Sequence, residues 1–271
     1  LAHIEHVVLT GNGNLSARAT IDTLSLRGNS ANNLLQDNYA AVTMAGGDGD
    51  DTYEQLGTST VILEHANQGM DTLRLWSQTT YTLPDHVERL LPQDAAPFGT
   101  LNFTGNALAN WIEGAAFSND TLDGGGGADT LVGHGGADLY LVDNPQDQII
   151  EADDAAPDTV QSSIGWTLQS GLENLQLTGN AVYGGGNAQP NLLTGNALAN
   201  LLEGSAGNDQ LMGAGGDDTL DGGAGYDRMA GGTGNDVYLV DTILPPMGLV
   251  LLGEAGEPIS RGQAYSYTGQ D

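Results

Sequence analysis

The chain has 271 residues, with 6 Lys and Arg against 35 Asp and Glu, a formal charge of −29 and no lysine at all. Phosphate groups must be met by Lys and Arg, so nucleic acid is excluded as a partner, and an anionic membrane surface with it. Without cysteine there are no disulfides or Cys-ligated metals, and no run of about 20 apolar residues exists to insert into a membrane. Self-repulsion at this charge opposes a compact state, so folding calls for bound cations or high salt. The 41 glycines are about twice the usual share of roughly 7% and by themselves would permit disorder.

Taken in chain order, the sequence alternates two kinds of segment. Residues 1–27 open in the second half of a connector: Ile4-Glu5 through Thr10-Gly11-Asn12 matches Leu172-Glu173 through Thr178-Gly179-Asn180. Residues 28–54 form a decayed array of nines, GNSANNLLQ, DNYAAVTMA and GGDGDDTYE, whose sixth positions are Asn33, Val42 and Asp51. Its middle unit has therefore lost a polar side chain at position six. Residues 55–104 are connector strands. Residues 105–143 form a second array, GNALANWIE, then the extra Gly114, AAFSNDTLD, GGGGADTLV and GHGGADLYL, with sixth positions Asn110, Asp120, Asp129 and Asp138. Residues 144–194 are a second connector, in which Leu172, Leu175 and Leu177 give the alternation of a strand. Residues 195–241 are the most regular array, with sixth positions Asn200, Asp209, Asp218, Asp227 and Asp236 and eighth positions Leu202, Leu211, Leu220, Met229 and Tyr238. Residues 242–271 are a tail or the start of a further connector, and both ends look cut from a longer array.

The connectors themselves repeat. Tyr53, Glu64, Asp71, Tyr81 and Glu88 align with Tyr140, Glu151, Asp158, Trp166 and Glu173, with equal spacings of 11 from Tyr to Glu, 7 from Glu to Asp and 7 from the second aromatic to the last Glu. They are expected to continue the stack as coils that bind no ion.

A period of nine has a direct physical reading. Six residues make a turn and three make a short strand, and the eighth side chain points inward. Glycine permits positive φ and lets the backbone approach an ion closely. A carboxylate at position six and turn carbonyls supply the hard oxygens that suit Ca²⁺, whereas Mg²⁺ demands near-octahedral geometry and keeps its waters. Aspartate also favours plain turns, but turn chemistry does not impose a nine-residue phase.

These units resemble the RTX (repeats-in-toxin) nonapeptide, GGxGxDxUx with U large and apolar, a repeat known as a calcium-binding parallel β-helix signature. The resemblance implies an all-β fold, a right-handed parallel β-roll with calcium bound in its turns. The metal ligands it implies are Asp51, Asp120, Asp129, Asp138, Asp209, Asp218, Asp227 and Asp236, with Asn110 and Asn200 as weaker ligands or as caps. The position-four glycines Gly127, Gly136, Gly207, Gly216, Gly225 and Gly234 complete the turns. Two nines make one coil, so ions are expected between Asp209 and Asp227, Asp218 and Asp236, Asn200 and Asp218, Asp120 and Asp138, Asn110 and Asp129, and, most weakly, Asn33 and Asp51.

No catalytic motif appears. GxSxG, HExxH, a P-loop and a dinucleotide fingerprint in strand–helix context are all missing. The histidines His3, His6, His65, His86 and His134 have no metal spacing, and Glu64, Glu88, Glu151 and Glu173 belong to the connector repeat. The expectation is a non-enzymatic calcium-binding module, secreted by a type I route as the family is, and lying outside the cell or at its surface. Its role is expected to be structural or adhesive. An accessory region of a secreted protease, lipase or alginate epimerase is the alternative, as is a carbohydrate-binding module using Trp76, Tyr81 and Trp166. Calcium is the expected partner, and polysaccharide, a cell-surface ligand and self-association are the other partner classes open to it.

Overall fold

The structure is a computed structural model that describes residues 3–93, 99–152 and 154–240, with the backbone of 250–252 and 258–259. The chain divides into two units, Leu1–Gly135 with Gln146–Ile150, and Gly136–Pro145 with Glu151–Asp271. No helix occurs among the described residues. Each unit is a parallel β-solenoid, the class implied by the resemblance of the nine-residue units.

In the first unit, one sheet stacks His6–Val8, Ser25–Arg27, Thr43–Ala45 and Val61–Ile62 in that order. A second stacks Ser16–Arg18, Leu34–Gln36, Thr52–Gln55, Thr72–Leu75, Arg89–Pro92, Trp111–Glu113 and Thr130–His134, and a third Thr80–Thr82, Asn102–Thr104 and Thr121–Asp123. In the second unit, one sheet runs Leu139–Val142, Thr159–Ser162, Asn174–Leu177, Leu192–Thr194, Gln210–Met212, Arg228–Ala230 and Val250–Leu252. The facing sheet runs Trp166–Thr167, Tyr183–Gly185, Leu201–Glu203, Thr219–Asp221 and Val237–Leu239. Described pairings are parallel except for Val250–Leu252 with Pro258–Ile259, which is antiparallel. The remainder of the proposed tail, 242–271, lies outside the described residues.

Sequential strands pair with the next but one, as a coil with two strands requires. Leu192 pairs with Gln210, which pairs with Arg228, so identical positions recur 18 residues apart in the third array. Strands of three residues can bury only their middle side chain, because successive side chains point to opposite faces. That middle residue is position eight. Leu35, Met44, Tyr53, Ile112, Leu122, Leu131, Tyr140, Leu202, Leu211 and Leu220 are all 0% exposed. The connectors supply Leu73, Leu90, Phe103, Val160, Leu175 and Leu193 to the same interior, so they do continue the stack. Trp166 is packed inside as well, at 6% exposure, which removes it as a flat platform for a sugar.

Candidate metal centre

Every sequence-assigned position-six residue is buried, from 0% exposure at Asp51 to 5% at Asp227. The stacking of coils gives each a shared geometry. The backbone N–H of one position-six residue donates to the Oδ1 of the position-six carboxylate one coil further on. Asp209 donates to Asp227 at 3.0 Å, Asp218 to Asp236 at 3.0 Å and Asn200 to Asp218 at 2.8 Å. Asn110 donates to Asp129 at 2.7 Å and Asn33 to Asp51 at 2.7 Å. Five of the six expected pairs are thereby brought together. In the sixth, Asp120 lies in the first unit and Asp138 in the second.

The second carboxylate oxygen has a different fate. Oδ2 of Asp51, Asp209 and Asp218 is buried with no hydrogen-bond partner. It points at the position-one glycine of its own turn, where a Cβ would leave no room. A Cβ on Gly204 would sit 2.5 Å from Asp209 Oδ2 and 2.6 Å from the carbonyl oxygen of Gly222 in the next coil. A Cβ on Gly213 would collide with Asp218 Oδ2 and lie 2.5 Å from the Gly231 carbonyl oxygen. The space kept clear by glycine is thus bordered by a carboxylate oxygen and a carbonyl oxygen.

The position-four glycines close the other side of the turn. Gly127, Gly136, Gly207, Gly216, Gly225 and Gly234 have φ between +106° and +155°, a region closed to most L residues. A Cβ on Gly207 would lie 2.6 Å from the Gln189 carbonyl oxygen of the adjacent coil.

Burial dominates the electrostatics. It pushes Asp209 and Asp218 up to about 6, against the lowering effect of the amides of Asn191 and Asn200, and the next Asp in the row adds to the rise. The ion-pair contacts of His3 with Asp22 and of His134 with Glu113 involve neither Asp209 nor Asp218. A buried carboxylate with no cation costs several kcal/mol, so it must take up a proton or a metal ion. The orphaned oxygens and the glycine-lined space fit a hard, oxygen-seeking ion, and Ca²⁺ accepts six to eight such ligands in flexible geometry.

The asparagine turns differ. Asn200 Oδ1 accepts the Asn196 N–H at 2.8 Å and its Nδ2 donates to the Ala181 carbonyl at 3.2 Å. Asn110 Oδ1 accepts the Asn106 N–H at 2.7 Å in the same way. These neutral side chains already close their own turns.

Several residues of this kind escaped the sequence reading. Asn191 is a further position-six residue, whose N–H donates to Asp209 Oδ1 at 2.8 Å. Its unit, GNAQPNLLT, begins at Gly186, and the phase of nine would have found it. Asp147 accepts the Asp129 N–H at 3.0 Å and extends that row. Asp37 accounts for the unit that lost its sixth-position ligand. Its carboxylate accepts the N–H groups of Tyr39, Leu56 and Gly57 and the Thr60 hydroxyl, so that turn is closed internally.

The connector carboxylates also join the rows. Asp71 accepts the Asp51 N–H at 2.8 Å, and Glu88 accepts the Asp71 N–H at 2.8 Å. Asp158 accepts the Asp138 N–H at 2.7 Å, and Glu173 accepts the Asp158 N–H at 2.9 Å. Burial raises Asp71 to about 7 and Asp158 to about 6.

Comparison with known families decides the nature of these turns. The RTX calcium-binding nonapeptide repeat is matched in four copies, at residues 27–54, 104–140, 194–229 and 203–238. The chain carries RTX calcium-binding repeats. The matched RTX segments coincide with the three arrays, and the connectors lie outside them. A search of curated proteins finds no match to the chain. In these RTX turns Asp209, Asp218, Asp227 and Asp236, with Asp51, Asp120, Asp129 and Asp138 in the other arrays, are the residues that would hold Ca²⁺.

Proposed function

We propose that this chain is a non-catalytic module of an exported bacterial protein, that calcium outside the cell drives its folding, and that the folded module serves a structural or adhesive role. The observation that carries this reading is the set of buried Oδ2 atoms on Asp51, Asp209 and Asp218 that have no hydrogen-bond partner, in a chain of formal charge −29. Without an ion these groups oppose folding by mutual repulsion and lost solvation. An ion that binds only the folded form stabilises it by mass action, about 2.7 kcal/mol for each site at a hundred times its dissociation constant. Extracellular calcium modules bind at roughly 10⁻⁴ to 10⁻³ M, far above cytosolic calcium, so such a chain stays unfolded until it is outside. A burial of Trp166 among core side chains favours this reading over a sugar-binding one.

Limited proteolysis tests it. The chain is expected to be cut rapidly at submicromolar free calcium and to resist at millimolar calcium. Equal resistance at both levels overturns the export switch.

A further inference from the structure

The arrays end in a second kind of acidic cluster that the nonapeptide pattern does not supply. In the first unit, Asp51, Glu64 and Asp71 each place one carboxylate oxygen within 4.8 Å of the other two. All three residues are buried, at 0%, 7% and 1% exposure. In the second unit, Asp138, Glu151 and Asp158 form the same cluster at the same sequence spacing. The aspartates at position six, Asp51 and Asp138, are the last of their arrays. The other two carboxylates of each cluster come from the connector.

Two observations beyond the clustering point to a ligand. Glu64 Oε2 and Asp51 Oδ2, on side chains more than nine-tenths buried, have no hydrogen-bond partner. One oxygen of each carboxylate is held by a fixed donor, which aims the group. Glu64 Oε1 accepts the Gly46 N–H at 3.0 Å and the Tyr53 hydroxyl. Asp51 Oδ1 accepts the Asn33 N–H, and Asp71 Oδ1 accepts the Asp51 N–H. Tyr140 donates to Glu151 in the equivalent way. Oxygens bound to one calcium at 2.3–2.6 Å can lie at most about 5 Å apart, a limit these clusters meet.

We propose that each cluster is a calcium site in its own right, with Glu64 and Glu151 as ligands, placed where an RTX array hands over to a connector. The connectors are then not calcium-free at their first coil. The tyrosine at position eight, where most other units have Leu, Ile or Met, is a positioning residue that fixes the glutamate. The site does not depend on filling of the RTX turns.

The test uses the whole chain with Glu64→Gln and Glu151→Gln together, stripped with chelator and returned to calcium. Bound ions are counted by equilibrium dialysis. The expected result is two calcium ions fewer than in the unaltered chain, and an unchanged count overturns the proposal. A turn variant, Asp209→Asn with Asp218→Asn, separates this idea from the turn reading. It is expected to lose turn ions and keep the two cluster ions. If only the turn variant loses ions, the cluster proposal fails and the turn reading stands. If only the glutamine variant loses them, the reverse holds. A second probe covers a glutamine variant that fails to fold. Terbium bound at the clusters takes energy from Tyr53 and Tyr140, so Tyr53→Phe with Tyr140→Phe is expected to lower tyrosine-sensitised terbium emission and, because these hydroxyls fix Glu64 and Glu151, to weaken calcium binding at the clusters. Emission that does not change overturns the proposal.

Discussion

At the scale of single residues, one carboxylate does two jobs with its two oxygens. Oδ1 of Asp218 holds the Asn200 amide, and Oδ2 faces the clear space under Gly213. Asp218→Asn keeps an oxygen for the amide but removes the charge. Calcium titration should show the folding midpoint moved up several-fold, with calcium-free stability not lowered, since burial of the charge itself opposes folding. Gly213→Ala puts a Cβ against Asp218 Oδ2 and should cost about 1–3 kcal/mol in calcium by urea unfolding. The pH dependence follows from burial, which raises Asp209 and Asp218 to about 6 from 3.8. Between about pH 4 and 6 the calcium-free fold therefore holds protons that the unfolded chain has released. Calcium-free stability is highest at acid pH and falls as pH rises through that window. Calcium needs the carboxylates ionised, so its binding releases protons and weakens below about pH 6. Chelated samples should show more β signal by far-UV circular dichroism at pH 4.5 than at pH 7.5, where the calcium-free chain is coil, and calorimetry of calcium binding in two buffers should show proton release. Calcium affinity equal at pH 5 and pH 8 contradicts this.

At the scale of the element, a three-residue strand offers one inward side chain, so each sheet gives the core a single file of such residues. Leu220, 0% exposed between Leu202 and Tyr238 in the strand register, has no neighbour on its own strand to fill a gap. Leu220→Ala should cost about 2–5 kcal/mol in the calcium-loaded protein, measured by urea unfolding. Such positions were legible in the sequence because the period of nine fixes which side chain faces in and which carboxylate faces its neighbour 18 residues on. The connectors were legible only in part. Their alternation showed strands, but position-six equivalents there are 20, 17 and 15 residues apart, as in Asp51 to Asp71, Asp71 to Glu88 and Asp158 to Glu173. A fixed period cannot place such residues on one row. Glu64 was out of reach for the same reason, since it meets Asp51 and Asp71 through coil geometry. Asn191 went unread because Gln189 and Pro190 disguise its unit. Asp37 was hidden because a position-one carboxylate took over the closing of a turn whose sixth position is Val42, buried at 2% exposure.

At the scale of the whole molecule, the sequence offers 6 cationic side chains against 35 carboxylates, and the structure stacks many of those carboxylates in buried rows. Neutralisation must come from solution. Monovalent salt only screens, whereas an ion held by several oxygens both neutralises and cross-links adjacent coils. Calcium should therefore fold the chain at concentrations where sodium does little. The most direct measurement is a titration of the chelator-treated chain with CaCl₂, followed by far-UV circular dichroism, with MgCl₂ as the control. A cooperative change from coil to β between roughly 10⁻⁴ and 10⁻³ M calcium, with magnesium silent, is the expected result. A spectrum already β-rich in chelator, or still coil at about ten times the upper end of that range, would contradict a solenoid folded by calcium.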